Sequence, residues 1–426
     1  MTARQQAASG PASAAACALP ARERIWTLDV LRGVALMGIL IMNMPMFSSS
    51  GFAEADGAHQ WPGAIDQAAE QLRDMLFSGK FNSMFSMLFG LGFTLQYARM
   101  RERDPARTPA LYLRRLVLLA LLGALHAVLL WTGDVLHVYA VLGIVALFGL
   151  ARMGDRGIVV LIGLCLLYPL AAGLLRLQLV TPEITAMRVA QAQAFEASNN
   201  AAYGHGSLAD MVVENARVMA YAYGNRWSLW GSFGWYVQML LTMLVGVLAG
   251  RRHWAARIPE LMPQIRRLMW WALAIGLACG AGFTLIFELN RAPGPSPIKV
   301  LGGLCYWFSR LSMTIFYVLL ITRIAHGPRG PRLLAPLAAA GRMPLTNYLM
   351  QTVLCLLIFQ GWGLGLWGHV GPAAGVALAL AIFFAVQVPW SLWWLARHER
   401  GPLEALWAGW TYGRPSGRAA PAALIR

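Results

Sequence analysis

Residues 116–143 read LVLLALLGALHAVLLWTGDVLHVYAVLG, and they decide the fold. The apolar run from Leu113 to Trp131 is long enough to cross a bilayer, whose core of about 30 Å needs roughly 20 helical residues. One histidine, His126, is set into it. The short turn Thr132-Gly133-Asp134 leads at once into a second apolar run that carries His137 and Tyr139. An ionisable side chain at membrane depth costs about 2.5 kcal/mol or more at a helix centre, which makes His126 a functional candidate by default.

The rest of the chain repeats this pattern. Of 426 residues, 58% are hydrophobic and 13% charged, with a mean hydropathy of +0.53, more apolar surface than a soluble core needs. The expected fold is all-α, a polytopic integral membrane protein of about ten transmembrane helices. The apolar runs place them near 26–48, 81–98, 111–131, 134–152, 157–179, 231–250, 268–288, 301–323, 341–361 and 373–396. Residues 1–24, rich in Ala, Ser, Gln and Pro, read as a disordered tail. The first span is too long for a signal segment and is expected to be retained. The five cysteines make no CxxC or other metal spacing, so neither a disulfide framework nor a metal site is implied.

The net charge of +16 resembles a nucleic-acid footprint, but most of the arginines cluster at alternate span ends, as in Arg99, Arg101, Arg103 and Arg107 or Arg251, Arg252 and Arg257. The positive-inside rule then places both termini in the cytoplasm and leaves a lipid bilayer, not nucleic acid, as the partner. Five spans (25–180) and five spans (231–396) flank a polar stretch, 181–230. That stretch is expected outside the membrane, partly helical and lying on its surface. Residues 397–426 read as a cytoplasmic interfacial helix and tail. Small-residue pairs such as Gly246 and Gly250 suit close helix packing, and a second copy of the chain is a candidate partner.

Polar residues inside the spans carry the functional expectations. Asp29 and Arg32 are three apart on one helical face; they form a structural ion pair, or Arg32 holds a phosphate. Asn43 lies deeper on the same span, where an amide bonds across helices or positions a reacting group. Lys80 stands at the outer end of the second span, snorkelling or functional. His126 and Asp134 face the outer half together. Asp134 is either a helix N-cap or the carboxylate that orients a basic histidine, the arrangement general-base catalysis requires. Tyr139 joins Lys80 among the substrate-binding candidates. In GRMPLTNYLMQTVLC, 341–355, the residues Arg342, Asn347, Tyr348 and Gln351 form a polar stripe that lines a path for a phosphate-bearing donor or holds helices together. No GxGxxG, GKS/T, HExxH or GxSxG pattern occurs, which argues against soluble-enzyme chemistry.

The stretches LDVLRGVALMGILIMN (28–43), LLGALHAVLLWTGDVLHVYAVLG (121–143), GRMPLTNYLMQTVLC (341–355) and GPLEALWAGWTYG (401–413), with GKF at 79–81 and LFGLGF at 88–93, resemble the YeiB-like family of bacterial inner-membrane proteins. The C-terminal half of that family is a domain of unknown function, and the resemblance implies a place in the bacterial cytoplasmic membrane. The D-x-x-R-G opening of the first span and its later asparagine also look like the transmembrane acyltransferase superfamily that includes heparan-α-glucosaminide N-acetyltransferase. That similarity implies an acyl-CoA donor, acetyl-CoA foremost, and an acceptor across the membrane. It matches Asn43 to the family's asparagine and sets His59, in the loop Gly57-Ala58-His59-Gln60-Trp61, beside its histidine.

The leading expectation is a membrane acyltransferase acting on a small-molecule or envelope-glycan acceptor. His126 is its base, Asp134 orients the base, and Asn43 or Lys80 stabilises the developing oxyanion. The alternative is a proton-coupled transporter that uses the same buried groups as a relay.

Overall fold

The computed structural model describes residues 26–225 and 231–412; the expected tail, 1–24, and the end of the chain, 413–426, lie outside the described residues. Among the described residues all regular structure is helical. Seven helical stretches among the described residues are long and apolar enough to cross a membrane: Trp26–Ser48, Thr108–Leu129, Asp155–Leu179, Ser232–Arg251, Trp254–Leu289, Pro297–Ala325 and Pro372–Leu395. Their outer faces are leucine-rich and exposed, as at Leu164, Leu167 and Leu174 or Trp270, Trp271 and Ile275. An unpartnered apolar surface of this extent has lipid as its natural neighbour.

Helix α1 (Trp26–Ser48) is the hub, with two-thirds of its hydrophobic window buried. It touches α3 (Lys80–Arg103), α12 (Gly330–Gly341), α13 (Pro344–Phe359) and α14 (Pro372–Ala381). α14 continues through a π-helical turn, Ile382–Gln387, into α15 (Val388–Leu395). α4 (Thr108–Leu129) pairs with α5 (Leu136–Phe148), and α10 (Ile258–Leu289) with α11 (Pro297–Ala325). α6 (Asp155–Leu179) closes the side against α9 (Ser232–Arg251) and α11.

Three expected spans take a different form. The first is the expected span 81–98, which is the lower part of a broken crossing. α2 (Ala64–Leu76) descends into the bundle, the chain breaks at 77–79, and α3 continues. Gly79 holds a φ of +72° at the break. Phe81 packs on Gly38, midway along α1, so Lys80 sits at mid-depth and not at an outer end. Below the break α3 runs beside α9 in the same direction, so closely that a Cβ on Gly246 would lie 1.9 Å from the Met87 carbonyl oxygen. Hydropathy is a poor guide here because the polar residues of α3, among them Asn82, Ser83 and Ser86, are buried inside the protein.

The second is the expected span 134–152, which is the short α5 with a 3₁₀ turn, because the α4–α5 turn lies within the bundle and leaves less distance to cross. The third, 341–361, is the shorter α13, which starts after a break at Arg342 and Met343 that separates it from α12, with Pro344 at its first turn as expected.

The described part of the polar stretch, 181–225, is helical, as expected in part. Its two helices, α7 (Pro182–Gly204) and α8 (Leu208–Gly224), fold over one end of the bundle as a lid. Asn215 Nδ2 donates to the carbonyls of Val128 (3.1 Å) and Leu130 (3.2 Å), satisfying the end of α4. The Tyr203 carbonyl accepts from Gly361 N at 2.8 Å, and Asn199 meets Ser50 at 3.0 Å. The opposite end of the bundle is basic. There Arg251 ties α9 to the carbonyls of Leu150 and Met153 and to Asp155. α16 (Pro402–Tyr412) docks there, its Glu404 carboxylate accepting from the Leu345 and Thr346 amides and the Thr346 hydroxyl.

Candidate functional site

The turn between α4 and α5 builds the core of the site. Asp134 is completely buried, and its two carboxylate oxygens take different histidines. Oδ1 lies 2.9 Å from His126 Nδ1, and Oδ2 lies 2.6 Å from His137 Nδ1. The same Oδ2 accepts from the His137 backbone N–H at 2.9 Å, so Asp134 caps α5 and orients two imidazoles at once. An ionised carboxylate only accepts, so each Nδ1 carries a proton, and in a neutral imidazole each Nε2 is then an acceptor. For His126 that nitrogen faces the Thr352 hydroxyl on α13 at 3.0 Å. For His137 it faces the Tyr223 hydroxyl on the lid at 2.7 Å. A chain of hydrogen bonds thus runs from Thr352 through both histidines to Tyr223.

His126 is 2% exposed and Thr352 1%. Tyr348 closes the site, with its ring centre 5.2 Å from that of His126 and its hydroxyl accepting from Val135 N at 3.2 Å. Burial pushes the Tyr223 phenol above its ordinary range, and the nearby Tyr236 and Asp134 add to this, so Tyr223 keeps the proton it donates.

A second polar centre flanks the other side of α5. The Tyr139 hydroxyl donates to the Asn82 carbonyl at 3.1 Å, joining the two. Lys80, 1% exposed, donates to the Asp74 carbonyl at 2.7 Å. Arg310, 3% exposed, donates to Ser83 Oγ (2.7 Å), to Gln238 Oε1 and towards Met239 Sδ. Among the described residues no carboxylate lies within ion-pair distance of either cation.

The other expected residues are distributed elsewhere. Asn43 is buried on α1, and no hydrogen bond joins it to the His126 cluster. His59 bonds Glu288 at 2.9 Å in the last turn of α10 and is not among the hydrogen-bond partners of His126. Asp29 and Arg32 form the expected ion pair at 2.7 Å. Arg342 donates to the Glu399 carbonyl at 3.2 Å and so serves the docking of the chain's end. The stripe on α13 is a helix-to-helix network: Gln351 Nε2 bonds Gln387 Oε1 (2.9 Å) and the Leu36 carbonyl (3.1 Å), and Asn347 Nδ2 bonds Ser391 at 3.0 Å. These bonds are what the second expected role, holding helices together, requires.

Although sequence spacing implies no metal site, ligand atoms of Glu54, His59 and Glu70 come within 4.8 Å of one another. Arg291 already pairs with Glu54 (2.8 Å) and Arg73 with Glu70 (3.2 Å), which neutralises much of the charge a cation would need. Two of the cavities among the described residues lie at opposite ends of the bundle. One of about 220 Å³ at the lid end is lined by Ser48, Ser50, Glu54, Glu70 and Arg73. One of about 420 Å³ at the basic end is lined by Phe93, Tyr97, Arg101 and Arg251. Neither is lined by His126.

Sequence reading missed Thr352, Tyr223, Arg310 and Gln238, which reach their sites from distant helices. His137 was within reach: it stands three residues after Asp134, on the same helical face.

Fold and site define a polytopic helical membrane protein with a buried histidine–aspartate–histidine cluster under a helical lid. The chain is 31% identical over 400 residues to the protein YxaH of Bacillus subtilis (strain 168), covering 92% of this chain and 94% of that one. It is 28% identical over 406 residues to YeiB of Escherichia coli (strain K12), covering 90% and 95%. It belongs to the YeiB-like family, and residues 249–414 match the family described as "Protein of unknown function (DUF418)". A 39.9 kDa protein in the amylase 3' region of Bacillus acidopullulyticus is 36% identical over 114 residues, 25% of this chain and 32% of that one. No solved structure matches the chain.

Proposed function

We propose that the protein is a transmembrane acyltransferase of the bacterial cytoplasmic membrane, with the basic end and both termini in the cytoplasm and the lid outside. The observation that carries this reading is the orientation of His126 by Asp134, with its free Nε2 held against a hydroxyl. A buried imidazole fixed in one tautomer by a carboxylate is suited to take a proton from an attacking hydroxyl or amine. Thr352 holds the position that the acceptor group takes. As acceptor oxygen or nitrogen bonds to the acyl carbon, its proton passes to His126 Nε2. The carbon–sulfur bond of the thioester then breaks, and the leaving thiolate takes the proton back from Nε2.

The cavity at the basic end suits a donor such as acetyl-CoA, because Arg101 and Arg251 offer charge to phosphates and Phe93 and Tyr97 offer faces to a base. The acceptor approaches from the lid end, where parting Tyr223 from His137 opens the cluster. The test uses purified protein in detergent with acetyl-CoA. Donor binding raises Tm, and release of free CoA thiol in the presence of envelope acceptors reports transfer. His126→Ala keeps the donor-induced shift and loses thiol release. Absence of any acyl-CoA-dependent shift sinks the reading.

A second reading, proton-coupled transport, is favoured by the unbroken hydrogen-bond chain from Thr352 to Tyr223 and by the helix break at 77–79. It requires substrate movement into proteoliposomes that follows an imposed proton gradient, without covalent change.

A further inference from the structure

Lys80 and Arg310 are near enough to feel each other's charge, and both are buried at mid-depth with no carboxylate at ion-pair distance among the described residues; the Asp74 carboxylate acts on Lys80 only from farther off. Asp74, the nearest acid in sequence, gives Lys80 its main-chain carbonyl, while its carboxylate pairs with Arg73 at 2.8 Å. The surroundings are rich in donors. Lys80 has three N–H groups and one bonded partner. Gln238, 4% exposed, spends its oxygen on Arg310 and leaves its Nε2 buried with no partner. The helix break adds the positive end of α3, whose first residue is Lys80. Two charges, and an orphaned amide donor on the side chain that Arg310 bonds, gathered where a helix is interrupted inside the bundle, call for an acceptor that carries negative charge.

We propose that Lys80, Arg310 and Gln238 bind an oxyanion, the carboxylate or phosphate group of a ligand, at the break between α2 and α3. An oxyanion suits these donors better than a halide: the planar guanidinium presents paired N–H groups, and several oxygens satisfy donors that arrive from three helices. Tyr306, beside the guanidinium and 5.9 Å from the Lys80 nitrogen, covers one side of the pair. The site does not depend on acyl transfer. Through the Tyr139–Asn82 bond it adjoins the His126 cluster, where a bound anion would hold a substrate beside the histidines.

The experiment is thermal unfolding of the full chain in detergent, followed by tryptophan fluorescence in sodium phosphate, sodium acetate or sodium chloride at matched ionic strength. A saturable rise in Tm with phosphate or acetate, absent with chloride, is the expected result, and the stronger of the two names the ligand class. Lys80→Met removes that rise and, because it deletes an uncompensated buried charge, raises Tm in the anion-free buffer. Arg310→Met does the same; should it fail to fold, Lys80→Met decides alone. Arg73→Gln keeps the rise, and so does His126→Ala, which separates this test from that of acyl transfer. The proposal is overturned if the wild type shows no oxyanion-specific saturable shift, or if the shift survives in Lys80→Met.

Discussion

Tyr223 on the lid is hydrogen-bonded to His137 in the bundle at 2.7 Å, so the cover of the site is fastened to the site itself. Removing that hydroxyl in Tyr223→Phe costs about 0.5–1.5 kcal/mol, the usual net worth of one hydrogen bond. The expected readout is local. Amide exchange should quicken in α8, residues 208–224, while α1 and α9 stay protected. Uniform exchange across all three helices would mean that the bond does not fasten the lid.

Asp134 serves both histidines, so their losses are not independent. His126→Ala and His137→Ala each strip one imidazole from a buried carboxylate, and the double variant removes what remains. The sum of the single effects on unfolding free energy should differ from the double by about 0.5–3 kcal/mol. Additivity within about 0.3 kcal/mol would show two separate pairs.

Gly79→Ala meets two penalties. Its φ of +72° is in the left-handed region, and the new Cβ would lie 2.6 Å from Arg310 Nε. The backbone term alone is about 1–2 kcal/mol, so Tm should fall by several degrees. The outward Gly92, with open space around it, should tolerate alanine in the same assay.

Gln387→Leu removes two buried hydrogen bonds, to Gln351 Nε2 and to the Asn347 carbonyl at 2.8 Å, while each partner keeps another bond. A loss of about 0.5–1.5 kcal/mol for each bond is expected in stability. CoA release per folded molecule should be unchanged, since the network ties α13 to α1, the π-helical turn and α15 and touches no reacting group. A selective fall in turnover would return the stripe to the donor path.

Arg101→Ala tests the basic cavity. Loss of one charged contact to a donor phosphate is worth about 1.5 kcal/mol, roughly a tenfold weaker Kd for acetyl-CoA, read by titration of the Tm shift. Unaltered affinity would place the donor elsewhere.

The His126–Asp134 pair was legible because a very short turn joins its two helices, so sequence distance and spatial distance agree. Most of the seven long apolar helices were legible for the reason hydropathy works at all: they face lipid. α1 and α9, largely buried in the bundle, were legible because their own residues are apolar over a full crossing. The lid was not, because a polar helix reads alike whether it rests on lipid headgroups or on protein carbonyls. The broken crossing escaped for the opposite cause. Lys80, Asn82 and Ser83 look like surface residues, yet the protein interior supplies the partners that water would. Thr352 stands 226 residues from His126, and no local pattern spans that interval.

That same interval bears on how the protein is made. His126 and Asp134 enter the membrane early in synthesis, when α8 and α13 have not left the ribosome. Until they arrive, an aspartate and two histidines face lipid with only one another for company, in an arrangement that cannot close until four-fifths of the chain exists. The last bond of the cluster therefore forms late in synthesis, after the stretch from residue 126 to residue 352 has been made.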